Sequence, residues 1–248
     1  MDYINAISND LRALGIRSGD VILVHSSLRS LGFVPGGPET VIRGLLAAVG
    51  EEGTLLLPAL SYRQQPHHIH DTRHSPSNVG AIPEHFRLRE DTKRSLHPTH
   101  SICGVGLAVD ALFQDHPLDT TPCGPHSPLN RMIDLGAKIV MLGCGLRPNT
   151  TMHALEEYVV PPYLFGPECE YTITDAEGRT YRKVYTRHGF QGWAQRYDRV
   201  RELPRTDFLT AGYVLEAETF ILETQPLREA VLAKLRENPL FFVDRVPA

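Results

Sequence analysis

The chain has 248 residues, enough to bury a full core, and its 42% hydrophobic and 22% charged residues are ordinary for a globular protein. A net charge of -4 leaves no basic footprint for nucleic acid, and no apolar run approaches the roughly 20 residues that span a bilayer. Cys103, Cys123, Cys144 and Cys169 form no CxxC pair, so free thiols are expected rather than a zinc knuckle or a disulfide framework. MDYINAISND has neither a basic start nor an apolar stretch of the secretory kind, and a cytoplasmic location is the expectation.

In DYINAISNDLRALG, Ile4, Ile7, Leu11 and Leu14 share one helical face, Asp2 stands as the cap and Gly15 suits a left-handed terminus. The continuous apolar run VILVH (21–25) reads as a strand buried on both faces. After PGG a helix is expected, with Pro38 in its first turn and Val41, Ile42, Leu45, Leu46 and Val49 as its stripe. TLLLP (54–58) and KIVMLG (138–143) repeat the strand pattern, and AIPEHFRLRED, AVDALFQD and SPLNRMIDLG between them read as short helices, the last capped by Ser127. From about residue 165, CEYTITDAEGRTYRKVYTR alternates around a glycine-containing turn and predicts a hairpin, and PLREAVLAKLREN predicts a closing helix. Strands alternating with helices predict an α/β fold: a mixed, largely parallel central sheet with helices on both faces, plus a smaller C-terminal α+β subdomain. The boundary is placed at Pro161 and Pro162, so that 1–162 is the core carrying the site and 163–248 a hairpin-and-helix subdomain packed on it as one compact unit.

Ligands of open α/β sheets bind beyond the carboxyl ends of the strands, and here those loops are polar. The first strand ends in HSSLRSLGFVPGG, whose small hydroxyls and glycines offer backbone N–H groups to an anion or simply make a turn. The run 138–143 leads into GCGLRPNTTMHALEEY. With Asn149 or Thr150 as N-cap, His153 falls in the first helical turn, and Glu156 and Glu157 share its face at i+3 and i+4. The set reads either as a base with its orienting carboxylate or as a solvated helix face. KRSLHPTHS (93–101) holds Arg94 and Ser95, suited to an anionic ligand, with His97 and His100 readable as structural histidines or as ligands. HHIHDTRH packs His67, His68, His70, Asp71 and His74 together, but the spacing does not match HExxH; it reads first as a polar surface or substrate lip, and no metal is expected.

In series, VHSSLRSLGFVPGG, GTLLLPALSY, DTRHSPSNVGAIPEHFR, RSLHPTHSICGVG, HPLD, SPLNRMIDLGAKIVMLG, NTTMHALEEY and ENPLFFV resemble the aminoglycoside N3-acetyltransferase family over nearly the whole chain. The resemblance implies an acetyl-CoA-dependent enzyme on a fold distinct from the GNAT acetyltransferases, whose QxxGxG-type loop is absent from the sequence. It implies that region 1–162 binds acetyl-CoA, embraced by the loop from His25 to Gly37 (His25, Ser26, Ser27, Leu28, Val34) and by the RSLHPT segment (Arg94, Ser95, His97). His153 matches the family's catalytic histidine and Glu156 its i+3 carboxylate; Thr99 or backbone N–H groups near Ser26 to Leu28 are the candidates for polarising the thioester oxygen. Tyr62, Asp71 and Glu157 are the candidate acceptor contacts. The expected partner is a small-molecule amine, with no nucleic acid and no membrane, and a homodimer is left open. Resistance members usually place aspartates after the strand matching LLLP, whereas ALSYRQQPHHIH has an arginine and no carboxylate before Asp71, so a less cationic acceptor than an aminoglycoside stays open.

Three other readings compete: a zinc-dependent hydrolase using His67 to His74 with His97 or His100, an acyl-enzyme mechanism through Cys144, and a coenzyme-binding homologue without activity.

Overall fold

In the computed structural model, which describes residues 2–63 and 65–246, the chain opens with α1 (Tyr3–Ala13), whose first N–H groups are capped by Asp2 through bonds from the backbone of Ile4 and Asn5. Its buried Ile7 and Leu11 lie against α2 (Gly37–Val49), which has proline in its first turn as expected. The apolar runs become β1 (Val21–Ser26) and β2 (Thr54–Pro58), followed by the short β3 (Ile69–Asp71), α3 (Ala81–Arg87) and β4 (Lys93–Arg94). Next come β5 (Ile102–Gly106), α4 (Val109–Phe113) and α5 (Pro128–Asp134), the last capped by Ser127. β6 (Lys138–Leu142) leads into α6 (Thr151–Glu157). The last third contains β7 (Phe165–Thr174), β8 (Thr180–His188), β9 (Trp193–Gln195), β10 (Leu209–Val214), β11 (Ala217–Glu223), α7 (Thr224–Glu237) and β12 (Val243–Arg245).

The central sheet has seven strands in the order β10-β11-β6-β1-β2-β5-β4. Side-chain alternation along its middle strands explains why those runs are apolar throughout. Leu23, Leu56, Ile139 and Met141 face a core with Leu129, Leu155, Leu227 and Val231 from α5, α6 and α7. Ile22, Val24, Leu55 and Val140 face the opposite core with Ile7, Val41 and Phe86 from α1, α2 and α3. Helices therefore cover both faces. Parallel pairing is confined to β1 with β2 and β1 with β6; the outer ladders are antiparallel, so the sheet is mixed but less parallel than its apolar runs suggest.

The proposed division at 162 and 163 is corrected. β10 and β11 extend the central sheet alongside β6, and α7 supplies buried residues to one of the two main cores. What stands apart are a two-stranded sheet, β12-β9, and a three-stranded sheet, β3-β7-β8, whose first strand comes from residues 69–71. The hairpin thus needs a strand from the N-terminal half, and the two regions interleave. Among the described residues, no helix is long and apolar enough to cross a membrane.

Topology brings the polar loops together. β1 and β6 run parallel and end side by side, with His25 opposite Met141 and Ser26 opposite Leu142. β5 runs antiparallel to β2, so its beginning, not its end, reaches that rim: Ala59 N bonds Ser101 O at 2.9 Å and Ser61 N bonds Thr99 O at 3.1 Å. The loops after β1, β2 and β6 and the segment before β5 therefore share one edge, over which β8 delivers His188.

Candidate active site

Asn149 accepts a bond from Thr151 N at 3.1 Å and so starts α6, a short helix buried from Thr151 to Glu156. Within it His153 Nδ1 lies 3.2 Å from Glu156 Oε2, the i+3 contact that the helical step allows. Glu156 is fully buried, and two tyrosines complete its shell: Tyr163 donates to Oε1 at 2.8 Å and Tyr197 to Oε2 at 2.8 Å. The Tyr197 oxygen is also 2.9 Å from His153 Nδ1. Its one proton goes to the carboxylate, so it accepts from Nδ1–H, which assigns the tautomer and leaves the Nε2 lone pair free. A buried carboxylate with three such donors is satisfied where an unpaired one would not be. Burial, and then the neighbouring Glu156, push both tyrosines far above their ordinary values, so both stay neutral donors.

The His153 ring lines a cavity of about 440 Å³ together with Tyr62, Thr99, His100, His188 and Phe190. Its centroid is 4.4 Å from that of His188 and 6.0 Å from that of His100. Burial first, and then the neighbouring imidazoles, lower His100 and His188 well below the ordinary value. His25, behind Thr150 at 3.3 Å, is lowered to about 3 by burial and then by His153. His153 thus faces a shell of imidazoles held neutral. Phe190, edge-on to His153 at 5.3 Å, has φ +55 in the left-handed region, where a non-glycine residue is strained; its N–H is tied to Tyr163 O at 2.8 Å. A larger groove of about 1110 Å³, flanked by Arg73, Lys93, Asp110 and Arg179, contains none of these imidazoles, and the reactive groups all belong to the smaller cavity.

Several expected site residues lie elsewhere. Arg94 spends all five donors inside the protein, on Ser101, Thr72, Ser75, Ala59 and Ser61, and has none left for a phosphate. Ser95 is bound to His116 Nδ1 at 2.9 Å and to Ile102 N at 2.9 Å. His97 Nε2 donates to Thr121 O at 3.1 Å while Nδ1 accepts from the backbone N–H groups of Thr99 and His100, which makes it a structural brace. That segment therefore offers a ligand no side-chain donor from these three residues. Asp71 caps the turn that follows it, through Arg73 N, His74 N and His74 Nδ1. Glu157 turns away from the cavity to Thr121 and to Cys123 N, beside a separate hollow of about 160 Å³. Burial, against those two bonds, raises it to about 7.

Thr99 and Tyr62 do line the cavity; Thr99 Oγ1 is 2.8 Å from His100 Nδ1, and Arg63 stacks over the Tyr62 ring at 5.4 Å. At the end of β1 the Ser26 hydroxyl is buried without a partner, a vacant donor on the rim where the coenzyme is expected, while Ser27 Oγ is held by Ser30 and Val34 is buried. The His67 to His74 segment does not converge as a metal site. His70 is buried, His74 sits exposed on Asp71, and among the described residues the clustered donor sets are His100, His153 and His188, and Cys123, Glu157 and His188. Cys144 is raised to about 12 by burial, bonds Gly145 O, and does not line the cavity, which removes it as a nucleophile. Tyr163, Tyr197, His188 and Arg187 gave no sequence signal, since each joins the site from beyond α6 through tertiary packing.

A histidine oriented by a buried carboxylate, on the rim of a mixed α/β sheet and beside a cavity fit for a small molecule, defines an acyl- or proton-transferring enzyme rather than a binding module. The family model for aminoglycoside 3-N-acetyltransferase matches residues 23–236, and the chain belongs to that family. Aminoglycoside N(3)-acetyltransferase VII of Streptomyces paromomycinus is 35% identical over 198 residues, 72% of this chain and 68% of its own. The N(3)-acetyltransferase IV of a Salmonella species is 29% identical over 231 residues, 93% of this chain and 86% of its own. Among solved structures, the YokD protein from Bacillus subtilis superposes with a TM-score of 0.82 at 26% identity, covering 96% of this chain and 94% of that one. Aminoglycoside acetyltransferase AAC(3)-IVa in complex with gentamicin gives 0.81 at 28% identity, covering 95% and 89%. The protein is accordingly an acetyl-CoA-dependent N-acetyltransferase acting on an amine of an aminoglycoside or a similar small molecule, with acetyl-CoA as cosubstrate.

Proposed function

We propose that the transfer is direct, with His153 as general base. The observation that carries this reading is the pairing of His153 Nδ1 with Glu156 and Tyr197, which leaves Nε2 as the acceptor on a ring that lines the cavity. The amine reacts in its neutral form. As its nitrogen forms the new bond to the acetyl carbon, its proton passes to His153 Nε2; the carbon–sulfur bond breaks, and the imidazolium returns that proton to the sulfur, giving amide and thiol. Glu156 steadies the imidazolium between those steps, and its own position is fixed by Tyr163 and Tyr197.

The thioester oxygen gains charge as its carbon becomes tetrahedral, and Thr99 Oγ1 with backbone N–H groups of the Ser26 to Leu28 turn are the donors we assign to it. Contact with the coenzyme is assigned to His25, Ser26, Ser27, Leu28 and Val34, supported by the unpartnered Ser26 hydroxyl. Tyr62 is assigned to the acceptor side. We place the reaction in the cytoplasm, supported by Cys103, Cys123, Cys144 and Cys169 all being free thiols.

His153→Ala tests the proposal. Turnover, followed by thiol release from acetyl-CoA, is expected to fall by about 100-fold or more, the usual worth of a general base. Coenzyme binding measured by calorimetry should persist; unchanged turnover removes His153 from the mechanism.

A further inference from the structure

Among the described residues, the cavity that holds His153 is lined by no aspartate and no glutamate. Glu156 is beside it but fully buried, with both oxygens occupied by His153, Tyr163 and Tyr197. The permanent charge in the lining is the exposed Arg187 on β8, close enough to Tyr171 to influence its hydroxyl. Among the described residues Arg187 takes part in no salt bridge, in contrast with its strand neighbour Arg182, which is paired with Glu170. A second guanidinium, Arg63, stacks on Tyr62 at the same cavity. The imidazoles of buried His100 and half-buried His188 are pushed towards their neutral form by burial and neighbouring imidazoles, and so supply no negative charge.

That environment discriminates among amines. A polycationic aminoglycoside entering it loses hydration at several ammonium groups, finds no carboxylate to replace the water, and is repelled by Arg187. A molecule with one amine and an anionic group gains instead, because a guanidinium forks onto the two oxygens of a carboxylate or phosphate. The positive field also weakens the hold of the amine on its own proton, which favours the neutral form that His153 needs.

We propose that the acceptor this cavity favours is a small primary amine whose remainder carries a carboxylate or phosphate seated on Arg187, ahead of a polycationic aminoglycoside. The proposal rests on the acetyltransferase reading above and deepens it.

The test uses the intact protein with saturating acetyl-CoA, thiol release as the readout and mass spectrometry of the N-acetylated product. The acceptors are matched pairs, ethanolamine with ethanolamine phosphate and glucosamine with glucosamine 6-phosphate, beside sisomicin as the polycation. In the wild type, kcat/KM for at least one phosphate-bearing amine is expected to exceed that of its neutral partner and of sisomicin by about tenfold or more. Arg187→Glu should abolish that advantage and raise kcat/KM for sisomicin. The residue is exposed, and an unchanged circular dichroism spectrum checks the fold of the variant. Sisomicin ahead of both phosphates in the wild type, or a phosphate advantage that survives Arg187→Glu, overturns the proposal and leaves the acetyltransferase reading intact. Bound coenzyme with no thiol release for any amine overturns the acetyltransferase reading, and the proposal falls with it.

Discussion

Tyr197→Phe removes one oxygen that touches both members of the proposed pair, at 2.8 Å from Glu156 Oε2 and 2.9 Å from His153 Nδ1. The ring stays, so the packing of a residue only 1% exposed is kept. What is lost is a donor to a buried carboxylate, and hydrogen bonds to charged groups are worth about 1.5–3 kcal/mol. If that energy is expressed when the imidazolium forms, kcat falls by about 10- to 100-fold. KM for acetyl-CoA should change little, because the oxygen lies behind the imidazole. Tyr163→Phe is the control: its hydroxyl reaches Glu156 Oε1 but not His153, so the loss of kcat should be smaller. The assay is steady-state thiol release for Tyr197→Phe, Glu156→Gln and the double variant, with a thermal melt to confirm folding. Residues acting through one network give a double variant far less impaired than the product of the single effects. Tyr197→Phe within about twofold of wild type while Glu156→Gln collapses would refute the orienting role of the hydroxyl.

Acidification should unfold the protein. His25, His70 and His116 are each held at about 3, first by burial and then by His153, Arg94 and Lys183 respectively. Below pH 6.5 the unfolded chain binds protons that the folded one refuses, so each histidine removes ~1.4 kcal/mol of stability per pH unit. Glu157, raised to about 7, acts with the opposite sign between 4.5 and 7 and offsets about one of the three. Denaturant midpoints between pH 7 and 5 should therefore drop; a midpoint that is flat or rises shows that these imidazoles are solvated. Cys144→Ala should keep turnover within about twofold, because the thiol is neutral and outside the cavity, and a turnover loss comparable to that of His153→Ala would restore the acyl-enzyme reading.

What the sequence made legible was local. α1 with its Asp2 cap, α5 with Ser127, and β1, β2 and β6 were visible because a period or a cap is written in consecutive residues. His153 and Glu156 were visible for the same reason, being one helical turn apart. Glu157 shows the limit of that reading: at 100° per residue, i+3 and i+4 fall on opposite sides of the histidine, and only Glu156 points to where the tyrosines sit. β5 was missed because ICGVG is short and interrupted by glycine, and β10 and β11 because their partner, β6, is far away in sequence. Arg94 has the residue type of an anion site, but residue type does not reveal that folding surrounds it with five internal acceptors.

The same burial that makes the site work makes it vulnerable to acid. Around His153 the fold collects imidazoles that could compete for the amine proton, and it disarms them by removing water: His25, His100 and His188 are all driven below their ordinary values, with burial the largest cause for each. His153 alone among these has a buried carboxylate within 3.2 Å to receive the charge that proton transfer creates. In the mechanism proposed above, selectivity for one base among four adjacent histidines comes from where Glu156 is placed, and Glu156 is held by bonds from Tyr163 and Tyr197. Moving the carboxylate, rather than altering the other histidines, should be what transfers or abolishes the base function.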